Sequence, residues 1–166
     1  MILQLEFSLA DVMADAEHYI ESKDFIGSGH FMIDKKAISE EKLKEIQSFK
    51  RLMDTVRYET IDQSRIKSVI TPEYGAKFVA NDLLAYTYCG EECKGVSDGK
   101  TAFNPRYYWY VTEYLGLDIH YQDKLKGRED INGGLGLFAV VKAGKVVGSI
   151  MCLNPRVVFR ENSSLH

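Results

Sequence analysis

The chain has 166 residues, a length that suits one domain or two small subdomains sharing a core. With 45% hydrophobic and 27% charged residues it has the composition of a folded, soluble protein, and no apolar run approaches the roughly 18 residues that span a bilayer. Its net charge of −3 argues against a dominantly basic nucleic-acid-binding protein, and its three cysteines do not suggest a disulfide framework. We therefore expect a cytoplasmic protein with reduced thiols and no membrane partner.

The first part of the chain predicts a strand, a helix and a second short strand. Residues 2–7 are mostly apolar and predict a strand, and Ser8 is a suitable N-cap. Apolar residues then recur at helical spacing from Leu9, which predicts a helix to about residue 22 with acidic side chains on its outer face. The stretch HFMID, residues 30–34, predicts the second strand.

A second helix is predicted over residues 39–54, where apolar residues again recur at helical spacing. The surrounding segment 35–57 holds seven basic and four acidic residues and is the most basic part of the chain. It is a candidate for weak binding of phosphates or of an acidic partner, and the alternative is a solvated amphipathic helix. The candidate nucleic-acid-binding residues are Lys42, Lys44, Lys50 and Arg51.

Short extended segments separated by turn residues follow. Residues 65–71, 76–80 and 83–88 predict a three-stranded meander, and residues 89–100 are expected to be a polar connection. Later in the chain, the sequence predicts a strand at 117–123, a loop at 125–134 and a hairpin over 137–153 with its turn at Lys142–Lys145.

The stretch TAFNPRYYWYVTEYLG, residues 101–116, is the most aromatic part of the chain and holds its only tryptophan. Asn104 as N-cap, Pro105 at the first position and Gly116 at the end predict a helix over 105–115. Tyr108, Trp109, Thr112 and Leu115 are expected to face the core. The opposite stripe is expected to be exposed and to bind a protein partner; it consists of Tyr107, Tyr110, Val111 and Tyr114. The alternative is that the 39–54 helix or the 125–134 loop covers this stripe.

The two halves of the chain share a pattern at an offset of 96 residues. Phe7 aligns with Phe103 and the N-cap Ser8 aligns with Asn104, so each half begins with a strand, a cap and a helix. Extended segments follow in both halves. The sequence therefore predicts an α+β fold of two tandem βαβββ-like units, residues 1–88 and 100–153, within one domain. The helices would lie on one face of a mostly antiparallel sheet, and the 39–54 helix would be an insertion.

This plan resembles one domain of the DNA polymerase sliding clamps, such as the bacterial polymerase III beta subunit. The segment FNPRYYWYVTEYLG is similar to the clamp's strand-to-helix segment with its Phe-Asn/Asp-x-Arg-Tyr-Leu core. GKVVGSIMCLNP is similar to its closing strand, with Cys152 where an Ile-Met-Pro motif has its proline, and AKFVANDLLAYTY resembles its strand-turn-strand pattern. The helices depart from the family because they present acidic residues where clamps present lysines and arginines to DNA.

The search for chemistry identifies no catalytic residue, metal site or cofactor. Cys89 and Cys93 in CGEEC have no second Cys or His pair at zinc-site spacing. The glycine-rich INGGLG, residues 131–136, together with the hairpin resembles acetyltransferases, but there the loop follows the hairpin and opens a helix. No nucleophile-elbow, phosphate-loop or zinc-protease motif occurs.

The resemblance implies a non-enzymatic, sliding-clamp-like protein, with a phage or mobile element as the expected setting. Its role would be in DNA replication or in binding a replication or defence protein. We expect a protein partner or a homo-oligomer, with DNA bound at most weakly. The alternatives are a small acyltransferase-like enzyme and a protein-binding module unrelated to replication.

Overall fold

A computed structural model describes most of the chain, and every structural statement below concerns the residues it describes. These are residues 6–15, 19–28, 30–49, 56–57, 73–88, 91–122 and 137–153.

Helices and short strands alternate in the first half of the described chain, and strands dominate the second. In order, the elements are α1 (Leu9–Asp15), β1 (Tyr19–Glu21), β2 (Phe25–Gly27), β3 (Phe31–Asp34), a 3-10 turn (Lys35–Ala37), α2 (Glu40–Ser48), β4 (Val56–Arg57), β5 (Asp82–Tyr88), β6 (Glu91–Ser97), β7 (Ala102–Phe103), α3 (Pro105–Trp109), a π-helix (Tyr110–Tyr114), β8 (Asp118–His120), β9 (Leu137–Lys142) and β10 (Lys145–Met151). The expected α+β class with mostly antiparallel strands is confirmed.

The larger sheet has seven strands in the order β4-β1-β2-β3-β10-β9-β8. All neighbours are antiparallel except β4, which pairs parallel with β1. Strands β3 and β10 meet in the middle, where Ile33 lies opposite Gly148. Beyond β8 the backbone amide of Phe78 donates to the carbonyl oxygen of Ile119 at 2.8 Å, so the segment before β5 lies along this edge of the sheet without forming a strand.

The smaller sheet has the order β5-β6-β7. Strands β5 and β6 form a seven-residue ladder from Asp82 opposite Ser97 to Tyr88 opposite Glu91. The amide of Leu153, just after β10, donates to Ala102 in β7 at 2.8 Å. This hydrogen bond ties the smaller sheet to the end of the larger one.

Each of two helical segments is followed by an antiparallel three-stranded meander. Helix α1 precedes β1, β2 and β3, while α3 and the π-helix precede β8, β9 and β10. The two meanders join through their last strands, β3 and β10, and α1 contacts α3. The ring of Phe31 in β3 lies 5.1 Å from the rings of both Tyr107 and Tyr110, so α3 packs over this junction.

Local sequence signals located several elements correctly. Ser39 caps α2 by accepting from the amide of Lys42, and Asn104 caps α3 by accepting from the amide of Arg106. Gly116 ends the helical segment with a φ of 69°, a conformation that favours glycine. The hairpin of β9 and β10 turns at residues 143–144, as expected. The predicted strands at 30–34, 83–88 and 117–123 overlap β3, β5 and β8.

Three predicted boundaries are wrong. The first helix ends at Asp15 instead of continuing to residue 22, because Tyr19 is buried and begins a strand that pairs with β2. The segment 76–80 is not a strand and makes one isolated bridge, between Lys77 and His120. The expected polar connection 89–100 contains β6. Its polar composition reflects a strand whose first residues are exposed, while Gly95, Val96 and Ser97 at its end are buried.

Other predictions fall outside the described residues. These include most of the 2–7 strand, although Glu6 and Phe7 are described and are not in a strand. The 65–71 strand, the end of the 39–54 helix and the 125–134 loop also lie outside. The predicted first unit took its three strands from 65–88, whereas the described meander after α1 spans residues 19–34.

We expect Gly148→Ala to lower the free energy of unfolding by about 1–3 kcal/mol, the usual cost of overpacking. A Cβ at this position would collide with the carbonyl oxygen of Met32 and lie 3.0 Å from the Cα of Ile33, both in β3. Urea denaturation measures the change. The control is Val79→Ala at a side chain that is 63% exposed, with an expected effect below about 0.5 kcal/mol. Equal stabilities for the two variants would contradict the close approach of β10 to β3.

Candidate functional site

The aromatic helix changes its hydrogen-bond pattern halfway along. Pro105 begins α3, and from Tyr110 the helix continues in π form, with the amide of Leu115 donating to the carbonyl of Tyr110 at 2.9 Å. Such single-turn π segments are rare and are frequent at functional sites. Here the π turn stacks the rings of Tyr110 and Tyr114 at 5.7 Å with an interplanar angle of 14°.

The tyrosine stripe of this helix is not exposed, which corrects the expectation on which its partner-binding role depended. Tyr107 is 5% exposed, Tyr110 1% and Val111 0%, and Tyr114 is half-buried. Strand β3 lies beneath the first two rings, and α2 packs on Tyr114. Burial raises the pKa of Tyr110. The alternative expectation was that the 39–54 helix covers the stripe, and it holds for Tyr114, on which α2 packs.

Helix α2 is held against Tyr114 by contacts from two of its residues, and a third anchors the helix in the core. The Nζ atom of Lys42 donates to the Tyr114 carbonyl oxygen and lies 5.2 Å from the centroid of its ring. The hydroxyl of Tyr114 donates to Oε2 of Glu45, and Ile46 is buried in the core. Burial, and then this hydrogen bond, raise the pKa of Tyr114. The lysine satisfies a carbonyl at the end of the π-helix, where intrahelical donors run out.

A second polar contact fixes the other end of α2. The carboxylate of Glu21 in β1 accepts hydrogen bonds from the Tyr19 hydroxyl at 2.7 Å and from Nε2 of Gln47 at 3.1 Å. Nζ of Lys35 lies 2.7 Å from its Oε2. Burial alone would raise the pKa of Glu21, but the hydrogen bond from Lys35 and the other donors lower it below its usual value. The cluster thus joins β1, the 3-10 turn and α2 around one charged carboxylate.

The four basic residues proposed for nucleic-acid binding do not form a described cluster. Lys42 is engaged with Tyr114, Lys44 is exposed, and Lys50 and Arg51 lie outside the described residues. The other exposed charged residues of α2 are acidic: Glu40, Glu41 and Glu45.

Three half-buried aromatic side chains form a row across the helix pair, which consists of α1 and α3. The sequence did not predict this row as a surface. The rings of Phe7 and Trp109 meet edge to face at 6.3 Å, and those of Trp109 and Tyr114 lie 5.8 Å apart. The guanidinium carbon of Arg106 lies 5.3 Å from the centroid of the Phe7 ring. We call Phe7, Trp109 and Tyr114 the aromatic row. Of the residues assigned to the core, Leu115 is buried there, while Tyr108 and Trp109 are half-buried and pack against it. The predicted outer stripe is thus the more deeply buried of the two faces.

The described residues carry few groups suited to catalysis. No three of their His, Cys, Asp or Glu side chains are placed to hold a metal ion. Cys93 is half-buried in β6 and Cys89 lies outside the description, while burial raises the pKa of Cys152. None of the described helices is long and apolar enough to cross a membrane.

No known protein family, curated protein or solved structure matches this chain.

Acid should destabilise the protein partly through Glu21. Because its pKa is lower when folded, its stabilising contribution is present above the unfolded value of about 4.3 and is lost as the pH falls through the folded value. We therefore expect Glu21→Gln to lower stability at pH 7 and to flatten the decline between about pH 5 and pH 3. Urea midpoints across this range measure the slope. Glu92→Gln, at an exposed site in β6, should keep the wild-type slope, and a wild-type slope for Glu21→Gln would refute the argument.

Two neighbouring lysines of α2 should differ in their effect on stability. We expect Lys42→Met to lower the free energy of unfolding by about 1–2 kcal/mol, since it removes a charged hydrogen bond to Tyr114 and a cation–π contact. Lys44→Met removes an exposed charge on the same helix and should change it by less than about 0.5 kcal/mol. Thermal and urea unfolding measure both variants, and indistinguishable stabilities would show that Lys42 does not hold α2 in place.

Proposed function

We propose that this chain is a non-enzymatic, protein-binding domain built on a duplicated plan like that of a sliding-clamp domain. In this proposal it acts in DNA replication or on a replication or defence protein. It acts through contacts with a protein partner or with further copies of itself, and it binds DNA at most weakly.

The observation that carries the proposal is the paired arrangement of helices and meanders. Two helical segments lie in contact, and each leads into an antiparallel three-stranded meander. The meanders join through β3 and β10. This pairing supports the resemblance to sliding clamps better than the short sequence motifs do, because it concerns six of the seven strands of the larger sheet. Fold similarity alone does not fix function, so the surface chemistry has to be considered separately.

The charges on the helix pair favour a protein partner over DNA. Around α1 and α3 the exposed charged side chains are those of Glu6, Asp11 and Glu113. The nearby base, Arg106, is half-buried with its guanidinium over the ring of Phe7. A surface that tracks DNA needs cations facing the phosphates, and this one would repel them. In the proposed role the chain therefore has a clamp-like fold but does not encircle DNA.

The acyltransferase alternative has no support in the described residues. Its glycine-rich loop, residues 131–136, lies outside them. What is described is the hairpin of β9 and β10, and such hairpins occur in many folds.

A gel-shift titration with duplex DNA at physiological salt tests the charge argument. We expect no binding at micromolar protein, because the helix pair presents carboxylates. Sub-micromolar binding that falls steeply with salt and disappears in a Lys42, Lys44, Lys50 and Arg51 alanine variant would instead support DNA contact by the basic segment.

Affinity capture from the native host, with quantitative mass spectrometry against an unrelated bait, tests the role itself. We expect enrichment of a replication or defence protein, or of the untagged chain. A thermal-shift titration with acetyl-CoA runs beside it. Stabilisation by acetyl-CoA without any enriched protein would overturn the proposal in favour of the enzyme.

A further inference from the structure

We propose that the aromatic row, Phe7, Trp109 and Tyr114, binds a basic segment of a partner protein, with an arginine or lysine of that segment lying against Trp109. This inference rests on the proposed protein-binding function and names the surface and the chemistry of the partner.

The rings at both ends of the row already bind cations of this chain. The guanidinium carbon of Arg106 lies 5.3 Å from the centroid of Phe7, and Nζ of Lys42 lies 5.2 Å from that of Tyr114. Within the described residues, no lysine or arginine takes the corresponding place on Trp109, the ring between them. Tryptophan attracts cations more strongly than tyrosine or phenylalanine. The row therefore offers a partner's cation its strongest site at the centre.

The carboxylates around the row supply the complementary charge. Glu6 is adjacent to Phe7 in sequence, Glu113 follows Trp109 by one helical turn, and Glu45 accepts the hydroxyl of Tyr114. Asp11 lies close enough to Arg106 to feel its charge, and hydrogen bonds from Ser8 followed by that charge lower the pKa of Asp11. Glu41 also acts electrostatically on Tyr114. These five carboxylates outnumber the two cations, Arg106 and Lys42, so the net charge of the named groups is negative.

A basic peptide segment satisfies both features, and a nucleic acid satisfies only one. Bases stack on aromatic rings, but their phosphates require nearby positive charge. Arginine and lysine side chains place a cation on the ring and a methylene stem along its apolar edge. Complementary charge around an aromatic centre also raises the association rate and excludes acidic partners.

The only tryptophan of the chain makes the site directly observable. The probe is the peptide acetyl-(Arg-Ala-Leu)₄-amide, titrated into the 166-residue chain at low salt, with acetyl-(Glu-Ala-Leu)₄-amide as the matched acidic peptide. We expect a saturable change in Trp109 emission with the basic peptide and none with the acidic one. Binding of the labelled basic peptide by anisotropy without any change in Trp109 emission would overturn the proposal. So would the same emission change on adding a 20-base-pair duplex.

Two double variants with the same change in charge localise the binding. Glu6→Gln with Glu113→Gln removes two carboxylates beside the row, and Glu91→Gln with Glu92→Gln removes two exposed carboxylates from β6. We expect the first pair to weaken peptide binding about three- to ten-fold, a range set by the energies of exposed ion pairs. The second pair should leave binding unchanged. Equal weakening by both pairs would show attraction to net charge alone and would overturn the site. Circular dichroism of the free variants verifies folding.

The captured partner separates this inference from the function on which it rests. If a partner is enriched by the wild type and equally by Trp109→Leu and the Glu6/Glu113 variant, the site is wrong and the protein-binding function stands. If the partner is lost from both variants and retained by the Glu91/Glu92 variant, the site is supported. If no partner is enriched while the peptide still binds at Trp109, the proposed function fails and the chemistry of the site stands.

Discussion

The pairing of β3 with β10 is the constraint on which the rest of the structure depends. It joins two meanders that are far apart in sequence, and the two backbones approach so closely that position 148 has no room for a Cβ atom. A register shift in β10 just before Gly148 marks the same place. Because Phe31 of β3 supports Tyr107 and Tyr110, the junction also sets where α3 lies and hence where α1 meets it.

Helix α2 supplies the hydrogen-bond partners that the end of the π-helix lacks. A helix that ends in π form leaves carbonyl oxygens without intrahelical donors, and the ring of Tyr114 needs an apolar neighbour and a partner for its hydroxyl. Helix α2 supplies Lys42 to the carbonyl and Glu45 to the hydroxyl. It is itself fixed at its far end by the Glu21 carboxylate. Helix α2 therefore packs as one unit with the aromatic helix, although Lys42 and Tyr114 are 72 residues apart along the chain.

Helix caps and turns could be predicted from neighbouring residues. The faces of the aromatic helix, strand β6 and the contact of Lys42 with Tyr114 depend on long-range packing and could not. Ser39, Asn104 and Gly116 act within one turn of the backbone, so their roles could be read from neighbouring residues. The aromatic helix was assigned its faces by the 96-residue alignment, against the simpler rule that the most apolar stripe is buried. That simpler rule holds for Tyr107 and Tyr110. Strand β6 was missed because only its last three residues are buried, and the contact of Lys42 with Tyr114 has no local signal.

The candidate surface follows from the burial of the tyrosine stripe. With Tyr107, Tyr110 and Val111 buried, Trp109 lies at the edge of the core. Its ring is half-buried between two rings that already hold cations. An aromatic residue in that position with lysines around it would suit stacked bases, because the phosphates of a nucleic acid need nearby positive charge. The carboxylates around Trp109 instead attract cations and repel phosphates, while its ring still offers an apolar contact. Thus the charges around one tryptophan direct the proposed partner away from nucleic acid and towards a basic protein segment.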